Sequence, residues 1–203
     1  MSRPVVIGVV GGIGAGKSTV SGAFAEAGAL VYDADEQVSE LHRSAAVLDE
    51  LRSWWGPGVV ADGELDRAAV AEIVFGDARQ RERLEGLLFP LLAEARAELR
   101  RRAEREGVAA VVIDAPLLIE AGLDAECDVV VFVDTPRAER LRRLRARSGW
   151  DAGELDRREQ AQIPVEAKRD RADYTLDGSG ARADVCRRAR TLLSQIILDR
   201  ASG

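Results

Sequence analysis

The sequence predicts an α/β fold in which a parallel sheet is flanked by helices. Three runs of β-branched and apolar residues, at 4–10, 108–113 and 129–133, show no alternation with polar residues, which is typical of strands buried on both faces. Two shorter strands are predicted at 29–32 and 172–176. Segments with helical periodicity separate these strands, and such alternation indicates parallel pairing through right-handed crossovers.

The length of the chain favours one domain. A chain of 203 residues can form one sizeable core with a small insertion, and it is short for two ordinary domains. We predict a single domain, residues 1–203, whose core is formed by about 1–35, 108–136 and 172–203. A helical insertion is predicted over about 36–107, and a second helical excursion over about 137–171.

Local signals predict where helices and turns begin and end. In the insertion, Asp62-Gly63 predicts a turn and Asp66 a helix N-cap. Pro90 interrupts a long apolar pattern and predicts a break between two helices. In the second excursion, Thr135-Pro136 predicts the N-cap and first residue of a helix that runs to Arg147. Another helix is predicted over about 152–162.

The composition excludes several classes of protein. The formal net charge is −6, whereas a nucleic-acid surface needs a positive field. No apolar stretch reaches the roughly 18 residues of a membrane helix and no signal peptide is recognisable, so we expect a cytoplasmic protein without nucleic-acid or membrane partners. Cys127 and Cys186 lack metal-binding spacing and are predicted to be reduced and buried. The 29 basic residues include only two lysines, Lys17 and Lys168, against 27 arginines, so each lysine needs a specific explanation.

A glycine-rich segment carries the strongest functional signal. Gly11–Ser18 has the sequence G-G-I-G-A-G-K-S and matches the phosphate-binding loop G-x-x-x-x-G-K-[ST] in full, between a buried strand and a helix. Glycines allow successive backbone N–H groups to converge on phosphate oxygens, and the helix adds its positive N-terminal end. Lys17 is predicted to bridge the β- and γ-phosphates of ATP, and Ser18 to bind Mg²⁺. The other predicted contacts to ATP in this segment are Gly12, Ile13, Gly14, Ala15, Gly16 and Thr19.

The rest of the sequence favours a kinase over other proteins with this loop. The loop also occurs in GTPases, motors and transport ATPases. A GTPase would carry Asn-Lys-x-Asp, which is missing, and Asp-x-x-Gly at Asp114, where Ala115-Pro116-Leu117 follows instead. Asp114 ends a predicted strand and fits the carboxylate that orients the metal in such folds. An ordinary strand-terminal Asp is the alternative.

A pair of aspartates at the end of the second strand is the next candidate. Asp33 and Asp35 lie two residues apart, so on an extended strand they would share a face. That end of the strand is the sheet edge where ligands of α/β folds bind. A carboxylate there can accept the proton of an acceptor hydroxyl and help to hold Mg²⁺. Alternatively, Asp35 caps the following helix, and the residues alone leave both interpretations open.

Three arginines mark one face of the helix predicted after Pro136. Arg140, Arg143 and Arg147 fall at i, i+3 and i+7. Such a face, on an excursion between core strands, suits a lid that closes over ATP and brings cations to the transferring phosphoryl group. A solvated basic helix is the alternative for any single one of them.

Several further segments resemble the dephospho-coenzyme A kinase family, and the similarity runs through nearly the whole chain. Two of them are far more specific than the phosphate loop: D-A-P-L-L-I-E at 114–120 and A-Q-I-P-V-E-A-K at 161–168. Both lysines fall inside matching segments. The other matching segments are Gly11–Thr19, Asp33–Asp35, Asp62–Arg67, Arg158–Gln160, Arg169 and Ala172–Tyr174.

The resemblance implies a P-loop kinase with a helical acceptor-binding insertion and a helical lid. It implies transfer of the γ-phosphoryl group of Mg·ATP to the ribose 3′-hydroxyl of dephospho-coenzyme A, which gives coenzyme A and ADP. Asp35 would be the general base, and Lys17, Arg143 and Arg147 would stabilise charge. The implied acceptor-binding residues are Asp33, Asp35, Pro116 and Leu117, the implied metal ligands are Ser18 and Asp114, and Gly180 in the segment 177–180 would lie near the adenine of ATP.

Two positions depart from the family pattern, and other activities stay open. Phe89 stands where the family usually has His before a proline, and Gly178 stands where it usually has Asn. The first change removes a polar contact to the acceptor. A kinase of the same fold for another small metabolite, such as a nucleoside monophosphate or a sugar, is the nearest alternative. An ATP-driven regulatory or motor module would release phosphate without an acceptor. We expect a monomer or a weak homo-oligomer.

Overall fold

The computed structural model describes residues 3–202, with side chains through residue 200. The described chain divides into two compact units. The sheet unit comprises residues 3–33 and 99–202, and the helical unit comprises residues 34–98. The roles predicted for the core, insertion and lid concern function and stay predictions.

A five-stranded parallel sheet forms the sheet unit. The strands are β1 Val5–Gly11, β2 Leu30–Asp33, β5 Ala110–Asp114, β6 Val129–Asp134 and β7 Tyr174–Asp177. Their order is β2-β5-β1-β6-β7 and every pairing is parallel. The predicted α/β class is therefore confirmed, and β1 is the central strand.

Helices connect the strands. In the sheet unit they are α1 Lys17–Glu26, α6 Arg137–Ser148, α7 Ala152–Glu159, α8 Val165–Asp170 and α9 Arg182–Ser202. The helical unit contains α2 Ala34–Leu41, α3 Ala45–Trp55, α4 Arg67–Gly76, the hairpin strands β3 Val60–Ala61 and β4 Glu64–Leu65, and most of α5 Ala78–Glu106. Short 3₁₀ turns occur at Pro57–Val59 and Leu123–Glu126. Among residues 3–202, no helix is long and apolar enough to cross a membrane.

Apolar burial on both faces explains the central strand. All seven residues of β1 are buried, so burial rather than alternation determines its composition. Phe24 on α1 and Ile196 on α9 are fully buried in the same cluster as Ile7 and Val9. The sheet therefore holds the loop after β1 on a rigid base.

The helical unit has its own apolar cluster. Val47, Leu48 and Leu51 on α3 are buried together with Val59, Leu65 and Val70. Trp54 and Trp55 pack against it with ring centroids 5.6 Å apart in a T-shaped arrangement. The Asp62-Gly63 turn is confirmed as the β3–β4 connection, and Asp66 caps α4 by accepting from two backbone N–H groups.

Several local predictions were wrong. Pro90 does not divide a helix, because α5 is continuous around it. The proline removes only the bond to the carbonyl of Gly86, and strong helix formers continue the helix on both sides. Helix α7 ends at Glu159 instead of residue 162, and the six-residue α8 was not predicted. Strand boundaries otherwise shift by one or two residues.

Two predictions at element ends need a physical correction. Asp33 and Asp35 do not share an extended strand, because β2 ends at Asp33 and α2 begins at Ala34. Thr135 does not cap α6, whose N-cap is Pro136 without a side-chain bond. The hydroxyl of Thr135 donates to the carbonyl oxygen of Ala15 instead, at 2.9 Å.

The two cysteines are unpaired thiols and are partly buried. Burial, followed by the carboxylates of the neighbouring acidic residues, raises the pKa of Cys127 to about 12. Its thiol is therefore protonated at neutral pH and a poor nucleophile. The predicted burial of the two cysteines is therefore met only in part, and their reduced state stays a prediction.

Candidate active site

The phosphate loop has the backbone conformation that its glycines were predicted to allow. Gly14 and Gly16 have φ values of 78° and 101°, in the region that favours glycine. Gly12 is required for a different reason, since a Cβ there would lie 2.6 Å from Nη1 of Arg140. The loop thus approaches a buried cation more closely than any side chain would permit.

Helix α1 begins directly after the loop. Gly16 is its N-cap and provides no side-chain bond, and no acidic residue lies in its first turn. The positive end of the helix is therefore available to an anion. Lys17, Ser18 and Thr19, predicted to contact ATP, occupy this first turn. The ammonium of Lys17 lies 3.5 Å from the carbonyl oxygen of Gly11.

Helix α6 contacts the outer side of the loop. Arg140 donates to the carbonyl oxygen of Ile13 at 3.0 Å, and Arg143 donates to that of Ala15 at 3.0 Å. The Thr135 hydroxyl donates to the same Ala15 carbonyl. Both arginines therefore hold loop backbone in this structure. Arg147, the third arginine of the predicted lid face, is exposed.

The segment after β7 joins this arrangement through Arg143. This arginine donates to the carbonyl of Gly178 at 2.7 Å and forms an ion pair with Glu139, whose carboxylate also accepts from the Gly180 N–H. Gly178 is buried, and a Cβ there would lie 2.4 Å from Thr135 Oγ1. The departure from Asn at position 178 therefore fits this chain, because no side chain could occupy that space.

Acidic residues meet at the carboxyl edge of neighbouring strands. Asp114 at the end of β5 pairs in register with Asp33 of β2 and with Val9 of β1. Asp33 and Asp114 are thus brought together beside the strand that leads into the phosphate loop. Oxygen donors of this kind suit Mg²⁺, which usually takes one or two carboxylates and retains waters. Asp35 is exposed in the first turn of α2, in the helical unit.

The loop after β5 is held by an ion pair between Glu120 and the buried Lys168. Lys168 is 2% exposed, and its ammonium lies 3.0 Å from Glu120 and donates to Gln162 at 2.8 Å. Glu120 also accepts from the Ile163 N–H. These contacts join the two motifs that carried the family resemblance. Pro116 and Leu117, predicted to bind the acceptor, are exposed in the same loop.

A cavity of about 390 Å³ lies beside the phosphate loop. Gly12 and Ile13 line it on one side, and the ends of β6 and α6 and the segment 159–169 complete it. Its charged lining residues are Asp134, Arg137, Arg140, Glu159, Glu166 and Arg169. The sequence did not indicate this cavity, because its lining residues come from three separate segments, 12–13, 134–140 and 159–169.

The parallel sheet with a phosphate loop after its central strand defines this protein as one of the P-loop nucleotide-binding proteins, a class that includes kinases. A family model described as dephospho-CoA kinase matches residues 5–184. The chain belongs to the dephospho-CoA kinase family.

A curated relative supports this membership, and two solved structures share the fold. A dephospho-CoA kinase from Brucella melitensis is 38% identical over 94% of this chain and 94% of its own length. A crystal structure of a protein from Thermus thermophilus is 34% identical, with a TM-score of 0.77 over 96% of this chain and 98% of its own. Dephospho-CoA kinase from Campylobacter jejuni shares the fold, with a TM-score of 0.65 and 21% identity over 96% of this chain and 98% of its own.

Proposed function

We propose that this protein transfers the γ-phosphoryl group of ATP to the ribose 3′-hydroxyl of dephospho-coenzyme A and forms coenzyme A and ADP. The observation that carries the proposal is the phosphate loop, with its left-handed glycines and the uncapped helix α1 behind it. Membership of the dephospho-CoA kinase family supports the acceptor. Transfer through a loose transition state needs mainly positioning and electrostatic stabilisation, which such a loop can supply.

Several residues are proposed to bind the donor. The segment from Gly12 to Thr19 would bind the phosphates of ATP, and Lys17 would neutralise charge on the β- and γ-phosphates. Gly180 would lie near the adenine. Ser18 and Asp114 would hold Mg²⁺, which neutralises phosphate charge when bound.

Other residues are proposed to act on the acceptor side. Asp35 would accept the proton of the attacking hydroxyl, and Asp33, Pro116 and Leu117 would contact the acceptor. The insertion at about 36–107 would provide the remaining acceptor surface. Arg147, and Arg143 if it leaves the Ala15 and Gly178 carbonyls, would stabilise the transferring group from the segment 137–171. We also propose that the protein is cytoplasmic and that it is either monomeric or weakly associating.

A comparison of acceptors tests this function. Purified protein is incubated with Mg·ATP and dephospho-coenzyme A, AMP, adenosine or gluconate, and ADP release and product mass are measured. We expect ADP only with dephospho-coenzyme A, and a product heavier by one phosphate. The analogue that lacks the 3′-hydroxyl is the matched control and should give no product. Preference for AMP or gluconate would assign the chain to another metabolite, and ADP release without acceptor would indicate an ATPase.

A further inference from the structure

Arg140 differs from the other arginines of α6. Its side chain is 7% exposed, whereas those of Arg137 and Arg142 are 47% and 73% exposed. Its guanidinium has partners on three segments: the Ile13 carbonyl in the phosphate loop, the Thr135 carbonyl after β6, and the carboxylate of Glu159 on α7. A buried guanidinium with this many acceptors has a fixed position.

The bond to Ile13 determines where the next amide points. A trans peptide is planar, and its C=O and N–H point in opposite directions. No cis peptide occurs in the described chain. Because the Ile13 carbonyl points at Arg140 on α6, the Gly14 N–H points to the other side of the loop. An anion that accepted a hydrogen bond from the Gly14 N–H would lie on that side of the loop.

The same arrangement repeats two residues later. The Ala15 carbonyl accepts from the Thr135 hydroxyl and from Arg143, so the Gly16 N–H also points away from α6. Alternate carbonyls of the loop are thus held on its outer side, and alternate N–H groups are directed to its inner side. The Ala15 N–H between them donates to the Gly12 carbonyl within the loop at 3.0 Å, so the Gly14 and Gly16 N–H groups are the ones this arrangement directs to an anion.

Glu159 keeps the guanidinium of Arg140 in place. Its carboxylate forms an ion pair with the same Nη1 atom that donates to Ile13, and its side chain is 22% exposed. Gly12 allows the contact, since any Cβ at that position would overlap the guanidinium. Arg140, Glu159 and Gly12 are therefore joined in one set of contacts beside the phosphate loop.

We propose that Arg140 is a positioning residue for the phosphoryl donor: through the Ile13 carbonyl it directs the Gly14 N–H toward the phosphates. This inference rests on the proposed role of the loop in binding ATP. Arg140 acts through the backbone and does not touch the reacting atoms. Arg143 makes the corresponding contact to the Ala15 carbonyl, but it is also proposed, with Arg147, to stabilise charge directly.

Binding of Mg·ADP and of inorganic tripolyphosphate to Arg140→Met tests the proposal without any acceptor. Both affinities should fall about 10- to 100-fold, the range for loss of a hydrogen bond from a charged donor. Loss of equal size for both ligands would locate the defect at the phosphates, because tripolyphosphate has no base. The matched control is Arg145→Met, at an exposed arginine of the same helix, and its affinities should equal those of the wild type.

Two further variants separate positioning from folding. Arg140→Met combined with Glu159→Gln removes the unpaired carboxylate, and the affinity loss should persist. Thr135→Val removes only the hydroxyl that holds Ala15, and it should weaken both ligands about 2- to 10-fold. Thermal unfolding and circular dichroism give the folded fraction for each variant.

Three outcomes would overturn the inference. If Arg140→Met binds both ligands normally but has a lowered melting temperature, Arg140 is purely structural. If it loses affinity for ADP but not for tripolyphosphate, the effect of Arg140 lies at the base. Wild-type protein that binds neither ligand would remove the donor role of the loop as well. Wild-type protein that binds ADP but does not phosphorylate dephospho-coenzyme A would refute only the acceptor in the proposed function.

Discussion

The two lysines of this chain lie in environments that differ in exposure. Lys17 is partly exposed at the start of α1, in a loop whose shape is held from outside by α6. Lys168 is buried on α8 and uses its ammonium to bond Glu120 and Gln162 from two other segments. One region has a partly exposed cation that is proposed to meet a ligand, and the other has a cation buried within the protein.

The comparison explains why lysine persists in an arginine-rich chain. An ammonium is a compact point charge, whereas a guanidinium is a planar fork that needs room and several acceptors in its plane. Arginine is used where a fork fits, as at Arg140 and Arg143. Lysine remains at two positions that suit a compact charge: Lys17, which is proposed to lie beside phosphates, and Lys168, which is buried against Glu120 and Gln162.

The largest effect is expected at the first lysine. Lys17→Ala removes the cation proposed to neutralise the β- and γ-phosphates, so kcat should fall about 10³- to 10⁵-fold, as for other cations at a transferring phosphoryl group. The melting temperature should stay close to that of the wild type, because the side chain is partly exposed. Steady-state kinetics and thermal unfolding measure the two quantities. A stable variant with near-normal kcat would contradict the proposed role.

The second-largest effect is expected at Asp35, in the helical unit. Asp35→Asn keeps the shape of the side chain but removes its basicity, so kcat should fall about 10²- to 10⁴-fold if Asp35 accepts a proton. Asn remains compatible with the first turn of α2, so stability should change little. Asp49→Asn, at an exposed residue of α3, is the control. Near-normal kcat in Asp35→Asn would exclude the base role.

Much of the sheet could be predicted from sequence because its signals are local. The runs that became β1, β5 and β6 are apolar on both faces, and the phosphate loop is contiguous. The Arg140–Glu159 pair could not be predicted, since its partners are 19 positions apart and the Ile13 carbonyl is 127 positions away. Periodicity placed Arg140 with Arg143 and Arg147 on one face, but burial depends on tertiary contacts.

The predicted helix boundaries were wrong where tertiary contacts override the local sequence preference. Thr135-Pro136 has a good capping sequence, yet the hydroxyl is used on the Ala15 carbonyl, a residue 120 positions away. Helix α8 has only six residues, too few for a periodic pattern to be recognised. Its position is set instead by Lys168. The roles of the individual site residues stay predictions that the variants above test.

At the second lysine we expect an effect on stability. Lys168→Met leaves the Glu120 carboxylate without its cation, and the free energy of unfolding should fall by about 2–3 kcal/mol, less than for a fully buried pair because Glu120 keeps some solvent contact. Lys168→Arg should also destabilise, because the larger fork does not fit. Denaturant unfolding measures both.

The control for that prediction is an exposed pair. Arg102→Met removes an ion pair with Glu106 whose side chains are 53% and 47% exposed, and it should cost less than about 0.5 kcal/mol. If Lys168→Met were no more destabilising than Arg102→Met, the buried ion pair would not stabilise the fold.

The smallest expected effect is the pH dependence of the Glu120 contribution. Burial raises the pKa of this carboxyl, but hydrogen bonds from backbone N–H groups and Lys168 outweigh it, so the pKa lies below its ordinary value of 4.5. A lowered native pKa stabilises the fold above the unfolded pKa, and this contribution is lost as pH falls through the native pKa. The melting-temperature difference between wild type and Glu120→Gln should therefore be constant above about pH 5.5 and shrink below pH 4.5. The control, Glu106→Gln, should differ little from the wild type in melting temperature at any pH. The prediction would be contradicted if the Glu120→Gln difference stayed constant down to the most acidic pH at which both proteins fold. In that case the carboxylate charge would not stabilise this region.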